Sequence, residues 1–327
     1  MTNKARVISI INWKGGVGKT TFTHHIATGL QHLEPGILEK HFNKRTPPKV
    51  LVIDMDAQCN LSVSCLMEDK FEQFIREGKE QNKGIKCLFK QFLYNNPAEA
   101  IKPADYILKH QVRKNNQQVY ENIDLIPSHP DLIYTDMEIA AYTRTDFDKH
   151  LVGSDIYKFQ MLNKIINNFR NNYDLILIDC PPNLNFLTQN ALYASDYYLI
   201  PTILDTLSSY GLMSIKNKVT ELNNTFYSKD SNYIKTKLLG IITNSIIETK
   251  GQPKNTQMLV LNKIQSAFPN LVFDSYLTQG DGISKASAHA YPVFAFEKSS
   301  KNAAKQSEHI RKIITESLDR MKGANGT

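Results

Sequence analysis

The sequence predicts an α/β fold, a doubly wound and mostly parallel sheet with helices on both faces. Three observations predict it: short β-rich apolar runs alternate with longer segments of helical periodicity, a glycine-rich loop joins the first run to the first helix, and acidic residues end several of the runs. At 327 residues the chain is expected to form one domain, 1–327, with insertions at about 34–48 and 66–120.

The strand candidates, in order, are Arg6 to Asn12, Lys49 to Asp54, Ile123 to Pro127, Asp174 to Asp179, Tyr197 to Pro201, Lys237 to Thr243 and Leu271 to Tyr276. Most are continuous apolar runs, as strands covered on both faces must be. Helical spacing marks Thr20 to Leu33, Tyr157 to Asn171, Asn185 to Ala194, Tyr210 to Phe226 and Thr256 to Phe268, so each strand is expected to feed a right-handed crossover. Two stretches break the rhythm. Glu34 to Pro48 carries Pro35, Gly36, Pro47 and Pro48, and Leu66 to Tyr120 is polar and partly helical. Both are expected to be peripheral additions with specialised surfaces.

Composition narrows the class. No apolar run approaches the roughly eighteen residues needed to span a bilayer, and MTNKARVISI enters a strand without a secretory leader pattern. A cytoplasmic location is expected. Cys59, Cys65, Cys87 and Cys180 form no CxxC pair and no zinc-spaced cluster, which points to reduced thiols. A net charge of +7 suggests an anionic partner, nucleic acid or membrane surface.

The chemistry is concentrated in KGGVGKTT, Lys14 to Thr21. Gly15, Gly16, Val17 and Gly18 sit at the bend from strand to helix, where small residues let backbone N–H groups close around a phosphate chain. Lys19 is placed to neutralise β and γ oxygens and Thr20 to put its hydroxyl on Mg²⁺. Lys14 departs from the ordinary pattern and reads as a lysine that leaves its own loop to reach phosphate on an opposing subunit, as an arginine finger does. Asp179 ends DLILID and suits Mg²⁺ through water, while Asp54 and Asp56 in VLVIDMDAQ supply one group for the metal and one to position the attacking water.

Together these residues resemble the ParA/MinD family of deviant Walker A P-loop ATPases, nearest its ParA partition branch. The likeness runs in order from residue 6 to about 300: KGGVGKTT at Lys14 to Thr21, IDMDAQCNLS at Ile53 to Ser62, IDLIPS at Ile123 to Ser128, LILIDCPPNLNFLTQNAL at Leu175 to Leu192, SDYYLIPTILD at Ser195 to Asp205 and GIITN at Gly240 to Asn244. The resemblance implies an ATPase using ATP and Mg²⁺ that turns over slowly. It also implies a homodimer in the ATP state, nonspecific binding to nucleoid DNA, and hydrolysis stimulated by a ParB-like partner, for plasmid or chromosome partition. Alternatives are nucleoid-based positioning of a protein organelle or other cargo, and a MinD-like membrane-cycling regulator. Carried over by position, Lys14 is the signature lysine and Thr21 an α-phosphate contact. Asp56 is the water-positioning aspartate, Asp54 and Asp179 support the metal, and Asn244 falls at a base contact.

The sequence departs from the family pattern at Ala57, where a proline is usual, at LSSYG (Leu207 to Gly211), and across SYLTQGDGISKASAHAYPVF, which leaves the adenine wall undefined. No helix-turn-helix precedes the loop, so promoter binding is not expected. From Lys285 onward, Lys285, Lys298, Lys301, Lys305, Arg311, Lys312, Arg320 and Lys322 face only four acids. With Lys254 and Lys263 they form the expected DNA stripe. Ile310, Ile313, Ile314, Ser317, Leu318 and Met321 make an apolar stripe that reads as core packing rather than a membrane anchor, because acids dilute the basic face. His24 and His25 are given no catalytic role, and Trp13, beside Lys14, is expected to pack either at a dimer edge or within its own loop.

Overall fold

Six parallel strands form the centre of the molecule: β1 (Arg6–Ile10), β2 (Val50–Asp54), β3 (Ile123–Ile126), β4 (Leu175–Asp179), β5 (Tyr197–Ile203) and β6 (Lys237–Asn244), in the order β3-β2-β4-β1-β5-β6. The computed structural model describes residues 4–81, 83–94, 106–142, 155–205 and 207–323. β2 and β4 are buried at every position, which is why their sequences read as unbroken apolar runs. Helices α1 (Lys19–Gly29) and α2 (Pro35–Phe42) follow β1, and α3 (Asn60–Leu66), α4 (Glu68–Gln81) and α5 (Ile85–Tyr94) follow β2. Next come α6 (Thr135–Ala141) and α7 (Tyr157–Asn167) after β3, α8 (Phe186–Ala194) after β4, and α9 (Ser208–Lys229) after β5. After β6 come a short hairpin, β7 (Glu248–Thr249) with β8 (Gln252–Pro253), and then α10 (Asn255–Ala267), α11 (Asp281–Ser287) and α12 (Lys301–Gly323).

Two apolar layers sandwich the sheet. One gathers α5, α7, α8, α9 and α10; the other gathers α1, α3 and α12. The apolar stripe of the last helix lies in this second layer, with Ile310, Ile313, Ile314, Leu318 and Met321 at most 1% exposed. Gly29 of α1 leaves room for it: a Cβ there would lie 2.5 Å from Ile314 Cδ1.

The two inserted stretches are more than surface additions. Leu38 of α2 is buried in the second layer, and Ile85, Leu88, Phe89 and Leu93 of α5 are buried in the first. The chain after α5 also shields the sheet edge, because Leu108 pairs antiparallel with Leu125 of β3 through bonds of 2.8 and 3.0 Å.

The seventh expected strand, Leu271 to Tyr276, does not form. Val272 makes a single parallel bridge to Ile241, and the next bond on β6 is taken by Leu277, whose N–H donates to the Thr243 carbonyl (3.0 Å). Between them the Asp274 and Ser275 N–H groups turn away to the Glu316 carboxylate on α12 (3.1 and 3.0 Å). A side chain on the covering helix therefore replaces the ladder.

Candidate nucleotide site

β1 ends at Ile10, two residues short of the expected Arg6 to Asn12, and Asn12 is used as a bracket. Its Nδ2 donates to the Pro201 carbonyl (2.8 Å) and its Oδ1 accepts the Lys14 N–H (2.9 Å). The loop then turns through Gly16 (φ 74°) and Gly18 (φ 100°), left-handed values that favour glycine. Gly18 is the N-cap of α1 and brings no side-chain acceptor, so the first-turn N–H groups stay available for an anion. A Cβ on Gly15 or Gly16 would meet nothing within 4 Å, whereas one on Gly18 would lie 2.4 Å from Asn244 Nδ2. The mouth of the loop is open and its back is closed.

Asn244 closes that back from the end of β6, donating from Nδ2 to the Val17 carbonyl (2.9 Å) and accepting the Ser245 N–H on Oδ1 (2.8 Å). Lys19 is buried with Nζ near the Lys14 carbonyl (3.3 Å), and burial lowers its pKa against the opposing pull of Asp179 and Asp56. The Thr20 hydroxyl donates to Asp179 Oδ2 (2.6 Å), and the Thr23 hydroxyl to Oδ1 (3.3 Å). One hydroxyl and one carboxylate, both hard oxygen donors beside an open cradle, fit a Mg²⁺ that keeps most of its waters.

Asp54 and Asp179 stand opposite each other on β2 and β4 and are fully buried. Burial raises both carboxyl pKa values above the usual range, and for Asp179 the Asp54 charge adds to the effect. The oxygens of Asp54 are nonetheless engaged. Oδ1 accepts the Asp56 N–H (3.1 Å), and Oδ2 accepts both the N–H and the hydroxyl of Ser62 (2.9 and 2.7 Å). Ser62 Oγ in turn accepts the Ser128 N–H (2.9 Å), and the Ser128 hydroxyl donates to the Asp56 carbonyl (2.7 Å). Asp54 is thus the centre of a brace that fixes the turn carrying Asp56. Asp56 itself is partly exposed and accepts the Gln58 N–H on Oδ1 (3.0 Å).

Ser62, Ser128, Thr23, Asn12 and Asp205 received no role from the sequence. Each lies within or next to a motif quoted above, and the signal available was a short polar residue in an otherwise apolar or glycine-rich run. Thr21 is half buried, and its carbonyl pairs with His25 Nδ1 (2.8 Å), while His25 Nε2 accepts the Val293 N–H (3.1 Å). That second bond fixes the neutral ring with its proton on Nδ1, and burial brings the pKa down to about 4. His25 joins the first turn of α1 to the segment before α12, a packing role. Trp13 packs partly buried against the first apolar layer. The four cysteines are free, and burial raises the Cys59 thiol to about 12.

Half of the expected DNA stripe is self-neutralised. Lys285 pairs with Asp281, Lys305 with Glu248, Lys312 with Glu308, Arg311 in two bonds with Glu297, and Arg320 with Glu316 and the Asn270 and Val272 carbonyls. Among the described residues, Lys254, Lys263, Lys298, Lys301 and Lys322 carry no ion pair. No helix among the described residues is long and apolar enough to cross a membrane.

A family model described as an AAA domain matches residues 5–232. A ParA family protein of Mycoplasma pneumoniae is 30% identical over 69% of this chain and 67% of its own length. The sporulation initiation inhibitor protein Soj of Bacillus subtilis is 24% identical over 91% of this chain and 94% of its own. Among solved structures, an ATP complex of a McdA variant from Cyanothece superposes with a TM-score of 0.67 at 16% identity, covering 97% of each chain.

Proposed function

The chain belongs to the ParA family of P-loop ATPases, and from that premise we propose that it is a slow, Mg-dependent ATPase whose ATP-bound form dimerises and holds nonspecific DNA for partition of a plasmid or chromosome, with a ParB-like partner stimulating hydrolysis. The single observation that carries the reading is the division of labour among the three aspartates. Asp179 faces the Thr20 hydroxyl in the cradle, and Asp54 is committed to the brace. Only Asp56 is left partly exposed, with Oδ1 on the Gln58 N–H and Oδ2 remaining to orient water.

In this reading the N–H groups of Gly15 to Thr21 would wrap the phosphates, Lys19 would neutralise the terminal ones, and Thr20 with Asp179 would hold Mg²⁺. Mg²⁺, when bound, supplies charge neutralisation to the phosphate chain. Asn244 stands at the β6 end where a base contact is expected, and Lys14, paired here with Asp205 of its own chain, would deliver its charge to a second copy. Exposed apolar side chains flank the strand ends on both sides, Ile133, Tyr134 and Met137 beyond β3, and Leu207 and Tyr210 beyond β5. Closure of a dimer over this edge would cover them.

The favoured DNA surface shifts from the C-terminal stripe to the α9–α10 side. α9 and α10 pack together, Lys216 lies over the Phe268 ring, and Lys250, Lys254 and Lys263 project with no acid between Thr249 and Phe273. The test is retention on duplex DNA with and without Mg-ATP across a salt series. Retention should require Mg-ATP. Lys254→Ala with Lys263→Ala should lower the log–log salt slope by about two, while Lys312→Ala, already paired, should leave it unchanged. Equal retention without nucleotide would remove the DNA switch.

A further inference from the structure

We infer that Asp205 is a positioning residue that holds Lys14 in cis and so sets the threshold at which two copies of this chain close around nucleotide, an inference that rests on reading Lys14 as a charge delivered in trans. The Lys14 ammonium is ion-paired with Asp205 Oδ2. Both ends of that pair are anchored to the same strand end. Lys14 is fixed at its backbone by Asn12, which is itself bonded to the Pro201 carbonyl of β5. Asp205 lies two residues beyond β5, and its Oδ1 accepts the Leu207 N–H (3.1 Å) and the Ser208 hydroxyl (2.9 Å) in the turn that starts α9.

Oδ2 is therefore left as a prebuilt acceptor at a fixed distance from the cradle. Partial burial works to raise the Asp205 pKa, but the bonds from Lys14 and Ser208 outweigh it and hold the carboxylate below its ordinary value. The two side chains are 49% and 34% exposed, which makes the pair weak enough to open. A fully buried pair would lock the lysine permanently. Leu207 and Tyr210, 76% and 81% exposed, lie on the same turn, so an arriving second copy would cover the place where the pair must break.

Delivering Lys14 to an opposing phosphate requires this pair to open in both copies, so its small cost enters the dimer equilibrium twice. An exposed pair of ordinary strength then corresponds to about a two- to thirty-fold shift in dimerisation. The experiment is sedimentation velocity of the full chain in saturating Mg-AMPPNP, with monomer nucleotide affinity measured alongside. Asp205→Asn, which keeps an oxygen for Leu207 and Ser208, should tighten the dimer by that factor and leave nucleotide affinity unchanged. Asp205→Glu should restore the wild-type threshold, and in a Lys14→Ala background Asp205→Asn should gain nothing. If Asp205 only capped α9, Asp205→Asn would lower stability without tightening the dimer. That result overturns the inference while leaving the trans reading intact, provided Lys14→Ala fails to dimerise. Lys14→Ala dimerising like wild type overturns both.

Discussion

Replacing Gly18 by alanine separates two features of the cradle that act at one atom. The first is conformational: at φ 100° and ψ 21° an L side chain is strained by about 1–3 kcal/mol. The second is steric, since the new Cβ would lie 2.4 Å from Asn244 Nδ2. Asn244 must then give up its bond to the Val17 carbonyl (2.9 Å), leaving a buried acceptor unpaired at about 1–3 kcal/mol. The sum is about 2–6 kcal/mol. Gly16→Ala provides the comparison, because its φ of 74° brings strain but its Cβ would meet nothing within 4 Å. Denaturant unfolding should show Gly18→Ala more destabilised than Gly16→Ala by the cost of the lost bond. Adding Asn244→Ala to Gly18→Ala should cost less than the two single changes together, with a coupling of about 1–3 kcal/mol. Equal destabilisation by the two glycine changes, or strict additivity of the pair, would refute the claim that Asn244 closes the back of the loop.

Three further outcomes follow from the same geometry. Asp56→Ala should keep nucleotide binding and dimerisation while slowing hydrolysis by about 10²–10⁴-fold; normal turnover in a phosphate-release assay would end its assignment to the attacking water. Ile314→Ala should cost about 2–5 kcal/mol in denaturant unfolding, because this side chain is 1% exposed against α1; a change near zero with lost vesicle binding would instead favour a membrane anchor. Asp179 is raised from 3.8 by burial and by Asp54, so the folded chain keeps a proton that the unfolded chain has released. Its contribution to stability therefore falls as pH rises from about 4 toward the folded value, by at most about 1.4 kcal/mol per pH unit. The melting temperature of Asp179→Asn relative to wild type should climb from pH 5 to pH 8 without metal, and parallel curves would contradict the assignment.

The sheet and the cradle were legible because their signals are local. An apolar run that ends in a carboxylate, or a glycine between strand and helix, needs no distant partner to be understood. Leu271 to Tyr276 failed for the opposite reason. Its β-rich composition is real, but its continuation on β6 depends on Glu316, some forty residues later, offering its N–H groups a better acceptor. Asp54 is an intermediate case. Its position at the strand end was readable; its commitment to Ser62, and through Ser62 to Ser128 on the next strand loop, was not.

The basic C-terminal stripe shows most sharply why charge cannot be counted along a chain. Lys305 meets Glu248 across 57 residues, and Arg320 points inward over the Phe273 ring to reach carbonyls of the segment beside β6. These cations hold the hairpin and the broken seventh strand against the last helix, and their charge is neutralised in doing so. The α9–α10 pair has little acid to answer its lysines: Glu221 pairs with Lys218, and from Lys250 through Phe273 there is none. A polyanion senses uncompensated charge. The helix that looks most basic in sequence thus spends Lys305, Arg311, Lys312 and Arg320 on ion pairs, whereas Lys263 of α10, on the opposite face of the sheet, has no acid near it in sequence to neutralise it, which is why the proposed DNA surface is placed there.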